Sequence, residues 1–309
     1  VYIGSDDKQV YCLSLADGQL RWVFATGGAV ESSPCVLAGR VYAGSADMHM
    51  YAIDRQSGQM VWKYKTGGKI PGGVNYYRKA GEKDPWLLVG SYDNILHCVH
   101  AVTGEKVWSY ESEYYINGTP AVLEDKVVFG GCDAIIHVIS AADGQAIHEI
   151  DAGSYIAGSA ALAGGRAFVG NYDFVFMCAD LQTGQIVWSY QDQEYPYFST
   201  AAVTEKEVVF GSRDKRLHCV RRDDGQPIWT FATQGEVDSS PIVCGDKVLV
   251  GSGDGRLYMV QLADGAEVWS YEIGAAITAS PAIAEGIVVV GAEDGFVYAF
   301  TGQQEQKQD

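Results

Sequence analysis

Three histidines in this chain occupy equivalent positions of a sequence repeat, and they are the first residues to consider as metal ligands or bases. His97, His137 and His218 share their position with Tyr or Met in other copies, which indicates a slot for a large side chain. The copies are expected in separate sheets, so the three imidazoles cannot share one ion. The remaining histidines show no ligand spacing, and we predict no metal site.

An aspartate recurs in the repeat and raises the question of calcium binding. One carboxylate per copy cannot supply the about six to eight oxygen ligands that Ca²⁺ requires. Aspartate readily accepts a hydrogen bond from its own turn, so we predict turn capping instead. The series consists of Asp47, Asp93, Asp133, Asp173, Asp214, Asp254 and Asp294.

Cysteine chemistry and hydrolase chemistry find no support in the sequence. The seven cysteines include no adjacent pair and no C-x-x-C, which argues against haem attachment and thioredoxin-like exchange. The sequence also contains no Ser-His-Asp elbow, glycine-rich phosphate loop or zinc motif. We predict buried structural thiols and no catalytic residues.

The elements that position these residues are hairpins that recur about every forty residues. Each copy predicts four short strands separated by glycine turns, which selects an all-β fold, a β-propeller. Eight hairpins predict eight blades, and seven blades is the alternative because only seven inner strands are visible. The hairpins are marked by Gly4, Gly44, Gly90, Gly130, Gly170, Gly211, Gly251 and Gly291.

The domain organisation follows from this repeat. We assign residues 1–302 to one propeller whose first and last repeats are incomplete, and we expect residues 303–309 to form a disordered tail. The chain begins within a repeat, so we expect it to be part of a longer chain.

A tryptophan follows the last turn of most copies by four residues. This spacing places one large ring on the outer strand of each blade, where we expect it to dock against the neighbouring blade. The fourth copy carries His148 instead. The docking residues are Trp22, Trp62, Trp108, Trp188, Trp229 and Trp269.

The combined pattern Ser-Pro-x-Val, Val-Tyr-x-Gly-Ser-x-Asp and Tyr-Ala-x-Asp-x-x-Ser/Thr-Gly-x-x-x-Trp resembles the pyrroloquinoline-quinone-type (PQQ-type) propeller family over essentially all of residues 1–302. The resemblance implies that the tryptophan docks blades and that the Ser-Pro-x-Val strand lines a central channel. Members include quinoprotein dehydrogenases, the outer-membrane assembly lipoprotein of Gram-negative bacteria, and sensor domains of bacterial kinases. Quinoprotein catalysis in the family involves a Ca²⁺ site and a disulfide between adjacent cysteines. The chain lacks such a pair, and we expect no cofactor.

Positions that vary between copies at the channel mouth are where function is expected. We expect Glu31, Glu236 and Asp238 to lie near one another, with tyrosines on the other side. Carboxylates and tyrosines together suit a cation, a sugar or an extended peptide, and a plain solvated rim is the alternative. The candidate residues are Glu31, Lys69, Tyr115, Asn117, Tyr155, Tyr197, Phe198, Glu236, Asp238 and Thr278.

The third copy carries an insertion at residues 76–86. It clusters Arg78, Lys79 and Lys83 beside Trp86, which we expect to be exposed, on an otherwise acidic protein. We predict a partner contact, with a tolerated surface loop as the alternative.

Net charge narrows the possible partners. The chain has 22 Lys plus Arg against 39 Asp plus Glu and a net charge of −17, which disfavours nucleic acid and anionic membrane. No run of about eighteen apolar residues occurs, so we expect no membrane insertion by this segment.

The leading functional hypothesis is a non-catalytic scaffold that binds a protein, peptide or glycan. The alternatives are a PQQ-dependent oxidoreductase and an extracytoplasmic ligand-sensing domain. The family resemblance suggests a periplasmic or extracellular location, while the cysteine content would also fit the cytoplasm.

Overall fold

The computed structural model describes residues 1–302. These residues form β-strands, turns and loops, and no α-helix occurs among them. Consistent with this, the described residues contain no helix with the length and apolar character needed to cross a bilayer. The predicted tail at 303–309 lies outside the described residues.

The chain divides into two compact units, of which the first comprises Val1–Ala167 and Ala179–Ile186. It begins with a three-stranded sheet, β1–β3, and continues with four-stranded sheets β4–β7, β8–β11 and β12–β15. Its strands are β1 (Tyr2–Ser5), β2 (Gln9–Leu13), β3 (Leu20–Ala25), β4 (Cys35–Leu37), β5 (Arg40–Gly44), β6 (His49–Asp54), β7 (Met60–Lys65), β8 (Asn75–Tyr77), β9 (Trp86–Gly90), β10 (Ile95–His100), β11 (Lys106–Glu111), β12 (Ala121–Leu123), β13 (Lys126–Gly130), β14 (Ile135–Ser140) and β15 (Ala146–Asp151).

The fifth repeat supplies four strands, and the boundary between the units runs through it. These strands are β16 (Ala161–Ala163), β17 (Arg166–Gly170), β18 (Phe176–Asp180) and β19 (Gln185–Tyr190).

The second unit comprises Phe168–Cys178 and the chain from Val187 onward. It contains the four-stranded sheets β20–β23 and β24–β27 and a three-stranded sheet, β28–β30. Its strands are β20 (Ala202–Val203), β21 (Glu207–Ser212), β22 (Arg216–Arg221), β23 (Pro227–Ala232), β24 (Ile242–Cys244), β25 (Lys247–Gly251), β26 (Arg256–Gln261), β27 (Glu267–Glu272), β28 (Ala282–Ala284), β29 (Ile287–Gly291) and β30 (Val297–Thr301).

One sheet per repeat gives eight blades in the described chain, which confirms the prediction of eight rather than seven. The incomplete first and last repeats appear as the two three-stranded sheets. In the second sheet, β5 and β6 are buried along their middle, whereas β7 is mostly exposed. The two middle strands therefore carry the core, and the outer strand forms a solvated edge.

The hydrophobic core lies between neighbouring sheets. In the first unit, Trp108 and Leu88 of the third sheet pack with Val127 and Phe129 of the fourth. In the second unit, Trp229 of the sixth sheet packs with Val248 of the seventh in an equivalent cluster. Because each cluster draws on two sheets, a blade is stabilised by its neighbour rather than by a core of its own.

The cysteines follow this core only in part. Cys12, Cys98, Cys178 and Cys219 are buried, as predicted, whereas Cys244 is exposed at the end of β24. The prediction of buried thiols is therefore wrong for Cys244, because this short inner strand ends at the surface.

Candidate functional site

The outer-strand tryptophans contact the next sheet at its turn glycine. The indole Nε1 of Trp22 donates to the carbonyl of Arg55 at 3.0 Å, and a Cβ atom on Gly58 would lie 2.7 Å from Trp22 Cγ. Gly58 also has φ of 71°, so the position requires glycine for both conformation and space. The same bond joins Trp62 to Ala101, Trp108 to Ala141, Trp188 to Arg222 and Trp229 to Leu262.

His148 occupies the tryptophan position in the fourth repeat with the same geometry. Its Nε2 donates to the carbonyl of Gln182 at 3.0 Å, and its ring faces Gly184. The imidazole thus provides the donor of the missing indole with a smaller ring.

Each of the three repeated histidines lies between a tyrosine and an aspartate and contacts one with each ring nitrogen. The hydroxyl of Tyr64, on the outer strand of the second sheet, lies 3.1 Å from Nδ1 of His97. Nε2 of His97 lies 3.1 Å from Asp93 Oδ2. Burial alone would raise the pKa of Asp93, but hydrogen bonds from His97 and from the Gly67 N–H outweigh it and lower the pKa to about 2. The equivalent trios are Tyr110, His137, Asp133 and Tyr190, His218, Asp214.

At two of the positions where tyrosine fills the histidine slot, the preceding sheet supplies phenylalanine, whereas Tyr271 precedes Tyr298. Tyr51 donates directly to Asp47 at 2.6 Å, and Phe24 packs against its ring without a hydroxyl. Phe231 and Tyr258 repeat this arrangement. A tyrosine in the slot reaches the aspartate by itself, so no second hydroxyl is needed. The sequence analysis found the slot but missed this pairing. The signal is that an outer-strand Phe precedes a Tyr in the slot at these two positions, whereas an outer-strand Tyr precedes each His.

The aspartates also cap their turns. Oδ1 of Asp47 accepts from the His49 N–H at 3.0 Å, and Asp93 and Asp254 accept equivalent bonds. Each therefore holds its own hairpin and the side chain in the slot.

Three of the predicted binding residues of the first unit, Glu31, Lys69 and Tyr115, lie together with Tyr92 in a group that we call the first loop cluster. Tyr155, another predicted binding residue, is exposed. Lys69 Nζ lies 3.6 Å from Glu31 Oε2 and 4.7 Å from the centre of the Tyr92 ring. Tyr92 in turn stacks on Tyr115 with centroids 4.6 Å apart. Neighbouring Asn117 donates to Cys132 Sγ at 3.0 Å. The structure therefore brings together cation, carboxylate and stacked rings.

The second loop cluster, in the second unit, consists of Tyr172, Phe198, Arg213, Glu236 and Asp238. The Arg213 guanidinium donates to both oxygens of Asp238, the shortest bond being 2.7 Å, and lies 3.4 Å from Glu236. The hydrogen bond to Asp238 is the main reason that the pKa of Arg213 is raised. Its carbon Cζ lies 4.3 Å from the centre of the Phe198 ring, beside Tyr172.

Two of the other candidates in this unit differ in accessibility. Thr278 is exposed and bonds to Glu293 at 3.3 Å. Tyr197 is only 1% exposed, so its prediction as an accessible binding residue is wrong. It packs against Gly170, in the column where other copies place buried Ile70 or Val237 against the strand glycine. Aligning that column would have identified it as core.

The basic insertion also differs from expectation in one residue. Arg78 and Lys83 are exposed, but Trp86 is 7% exposed and begins β9, so the prediction of an exposed tryptophan is wrong. Its ring packs edge-on against Tyr77, and Lys79 Nζ covers it at 4.8 Å. The lengthened hairpin folds back on its own aromatic residue.

A series of small residues near the inner strands links successive sheets. The Thr119 N–H donates to Ser159 Oγ at 2.8 Å, and the Gly73 N–H donates to Thr119 Oγ1 at 2.8 Å. In the second unit, Thr200 and Ser240 donate to the hydroxyls of Ser240 and Ser280. The sequence analysis did not predict these links, in which a hydroxyl group accepts a hydrogen bond from the backbone of the preceding copy.

One group within the described residues places three potential metal ligands together, Asp192, Asp214 and His218. No adjacent cysteines occur in the chain, and this trio does not provide the set of oxygen ligands that a Ca²⁺-bound quinone requires. The residues present therefore do not fit the quinone cofactor of the quinoprotein dehydrogenases.

Comparison with known proteins agrees with the geometry. The family model for "Outer membrane protein assembly factor BamB" matches residues 1–78, 69–229 and 213–308. No curated protein matches the chain by sequence.

Two solved structures show the same fold. A computationally designed protein, Ika8, is 18% identical with a TM-score of 0.86, covering 97% of this chain and 92% of its own. BamB from Moraxella catarrhalis is 16% identical with a TM-score of 0.81, covering 99% of this chain and 92% of its own. At these identities the likeness shows the fold alone, an eight-bladed β-propeller.

Proposed function

Because the chain belongs to the family of the outer membrane protein assembly factor BamB, we propose that it is a non-catalytic scaffold that binds a protein partner through its loops. The named member assembles outer membrane proteins, as its description states. A role in the cell envelope, on the periplasmic side, follows for this chain as part of the same proposal.

The observation that carries this proposal is a set of exposed tyrosines in the loops. Tyrosine buries a large surface, loses little side-chain entropy and offers a hydroxyl, which explains its enrichment at protein interfaces. The exposed members, with their exposed fractions, are Tyr114 57%, Tyr115 45%, Tyr155 57%, Tyr172 52% and Tyr195 48%.

The loop clusters support binding because they are already ordered. Lys69 and Arg213 each lie over an aromatic ring and pair with a carboxylate. A partner that contacts these rings does not have to immobilise them, which lowers the entropic cost of association. Two ordered aromatic surfaces suit a protein or an extended peptide better than a small polar ligand.

Site-specific photocrosslinking tests this proposal. Benzoylphenylalanine in place of Tyr155 or Tyr172 should give an adduct of discrete mass when irradiated in the envelope fraction of the native host. The control position is Val61, which is 44% exposed on the outer strand β7. Discrete adducts at the tyrosine positions and none at Val61 support the proposal. Identical adducts at all three positions, or none, contradict it.

Native mass spectrometry addresses the enzymatic alternative separately. With PQQ and Ca²⁺ added, we expect the mass of the protein to remain unchanged. A stoichiometric increase that matches quinone plus metal would replace the scaffold proposal with a cofactor site.

A further inference from the structure

One position in the repeat carries a carboxylate in the fifth copy only. Two residues after the outer-strand aromatic position, four copies carry threonine or serine, at Thr26, Thr66, Ser112 and Thr233, and two others carry Ala152 and Ile273. Those hydroxyl groups donate to backbone carbonyls, for example from Thr26 to Lys8 at 2.9 Å. The fifth copy has Asp192 there, which replaces a loop-closing hydroxyl with a carboxylate.

Asp192 lies beside the trio of Tyr190, His218 and Asp214. One ligand atom from each of Asp192, Asp214 and His218 lies within 4.8 Å of the other two. The side chains of His218 and Asp214 are 0% and 1% exposed, and that of Asp192 is 34% exposed. The group is thus a buried pair with a third ligand at the surface, which provides a route for an ion.

The carboxylate of Asp214 has fewer hydrogen-bond donors than those of Asp47, Asp93 and Asp254. Asp47 accepts two backbone N–H bonds, from His49 and Gly27, and Asp93 and Asp254 each do the same. Within the described residues, the side chain of Asp214 accepts only from His218 Nε2, at 3.0 and 3.2 Å. A buried carboxylate with unused acceptor capacity is costly unless a cation or donor satisfies it.

We propose that Asp192, Asp214 and His218 bind a divalent cation of the zinc class. An imidazole nitrogen with two carboxylate oxygens is a ligand set for Zn²⁺, and the exposed side of Asp192 leaves the fourth position to water. The Tyr190 hydroxyl, 3.0 Å from His218 Nδ1, accepts a hydrogen bond from the Nδ1–H when Nε2 binds the metal. Arg216 Nη1 holds Asp192 from the other side at 3.2 Å. Such outer contacts orient metal ligands.

The test measures Zn²⁺ binding to the dialysed full chain by isothermal titration calorimetry, and Co²⁺ binding by visible absorption. We expect one equivalent and a Co²⁺ spectrum of low coordination number. Asp192→Thr installs the residue of other copies and should lose that equivalent with unchanged far-UV circular dichroism. His218→Tyr should also lose it.

The matched control is His137→Tyr, which alters the equivalent trio that has Ser112 in place of the third carboxylate. This variant should keep the full equivalent. Zn²⁺ binding that persists in Asp192→Thr would assign the metal to scattered surface carboxylates and overturn the proposal. Binding of less than one equivalent by the unaltered chain would also overturn it. None of these outcomes depends on the loop crosslinks.

Discussion

The two loop clusters use the same three components with different strength. In the first, Lys69 meets Glu31 at one distance of 3.6 Å, and the two side chains are 36% and 44% exposed. In the second, Arg213 binds both oxygens of Asp238 with a shortest bond of 2.7 Å, and Asp238 is 23% exposed. A bidentate guanidinium pair fixes geometry in a way that a single ammonium contact does not. The ion pair is therefore adaptable in the first cluster and rigid in the second, and its cation comes from a different position of the repeat in each.

Stacked tyrosines order the first cluster even though its ion pair is weak. Tyr92 and Tyr115 are parallel within 5°, so the first cluster is ordered by its rings rather than by its charges. The second is ordered by charges, with Phe198 and Tyr172 only tilted at 35°. We expect high salt to loosen the first ion pair with little effect on the tyrosine stack, because screening acts on exposed charges.

The comparison assumes that the contacts between neighbouring sheets are equally strong near both clusters. The largest expected effect comes from removing an outer-strand tryptophan that makes such a contact. Trp62→Ala in the first unit and Trp229→Ala in the second should each lower the free energy of unfolding by about 3–5 kcal/mol. Urea denaturation provides the measurement. Val61→Ala, at an exposed neighbour of Trp62, should change it by less than about 0.5 kcal/mol. A small effect for only one tryptophan would show that the sheet contacts in the two units are not equally strong.

Acid should act on the first cluster through Asp93, the residue after Tyr92. Its pKa is lowered to about 2 in the folded chain, below the unfolded value of about 3.9. The stabilisation is therefore complete above pH ~4 and is lost as pH falls toward ~2, by up to about 2 kcal/mol.

Asp93→Asn should flatten the pH dependence of the unfolding free energy in that window. The exposed Asp6→Asn serves as the control. An acid limb that is equally steep in both variants would contradict the assignment.

Removing the anion from each cluster compares them directly. Asp238→Ala should lower the unfolding free energy by about 1 kcal/mol because it leaves a half-buried guanidinium without its bidentate partner. Glu31→Ala should cost less than about 0.5 kcal/mol, as is typical of an exposed pair. Equal costs would remove the distinction between a rigid and an adaptable cluster.

The smallest expected effect concerns the trio of Tyr64, His97 and Asp93, which adjoins the first loop cluster because Asp93 follows Tyr92. Tyr64→Phe and His97→Tyr should each destabilise the chain by about 0.5–1.5 kcal/mol. The double variant recreates the Phe24 and Tyr51 pairing of the preceding seam, so it should recover part of the loss. A double-mutant cycle measures the coupling, and strictly additive losses would contradict the pairing rule.

Most of the fold could be predicted from the sequence because the same pattern of hairpin, turn glycine and tryptophan recurs in most copies. The eight hairpins, the turn glycines and the outer tryptophans all follow from spacing. The errors occur where one copy departs from the others. Trp86 follows an insertion that folds back onto it, and Tyr197 replaces an aliphatic residue in a buried column.

The candidate sites were less predictable than the fold. The sequence analysis named Glu31, Lys69 and Asp238 as candidates but not Arg213, and spacing could not show which cation pairs with which carboxylate. Those pairings depend on side-chain reach across sheets, as between Arg213 and Asp238. The sequence analysis did not single out Asp192, which comes from the repeat before that of His218, although ligand atoms of the two side chains lie within 4.8 Å of each other.

The hydroxyl links near the inner strands bear on how such a chain can change length. In the four links described above, one copy donates a backbone N–H to the hydroxyl of the following copy, and Thr119 takes both roles between Gly73 and Ser159. The links therefore carry a direction along the chain, and a whole repeat that is duplicated or deleted brings or removes one donor and one acceptor together. Gene-level gain or loss of complete repeats leaves this bonding pattern intact, whereas a partial repeat leaves one group unpaired.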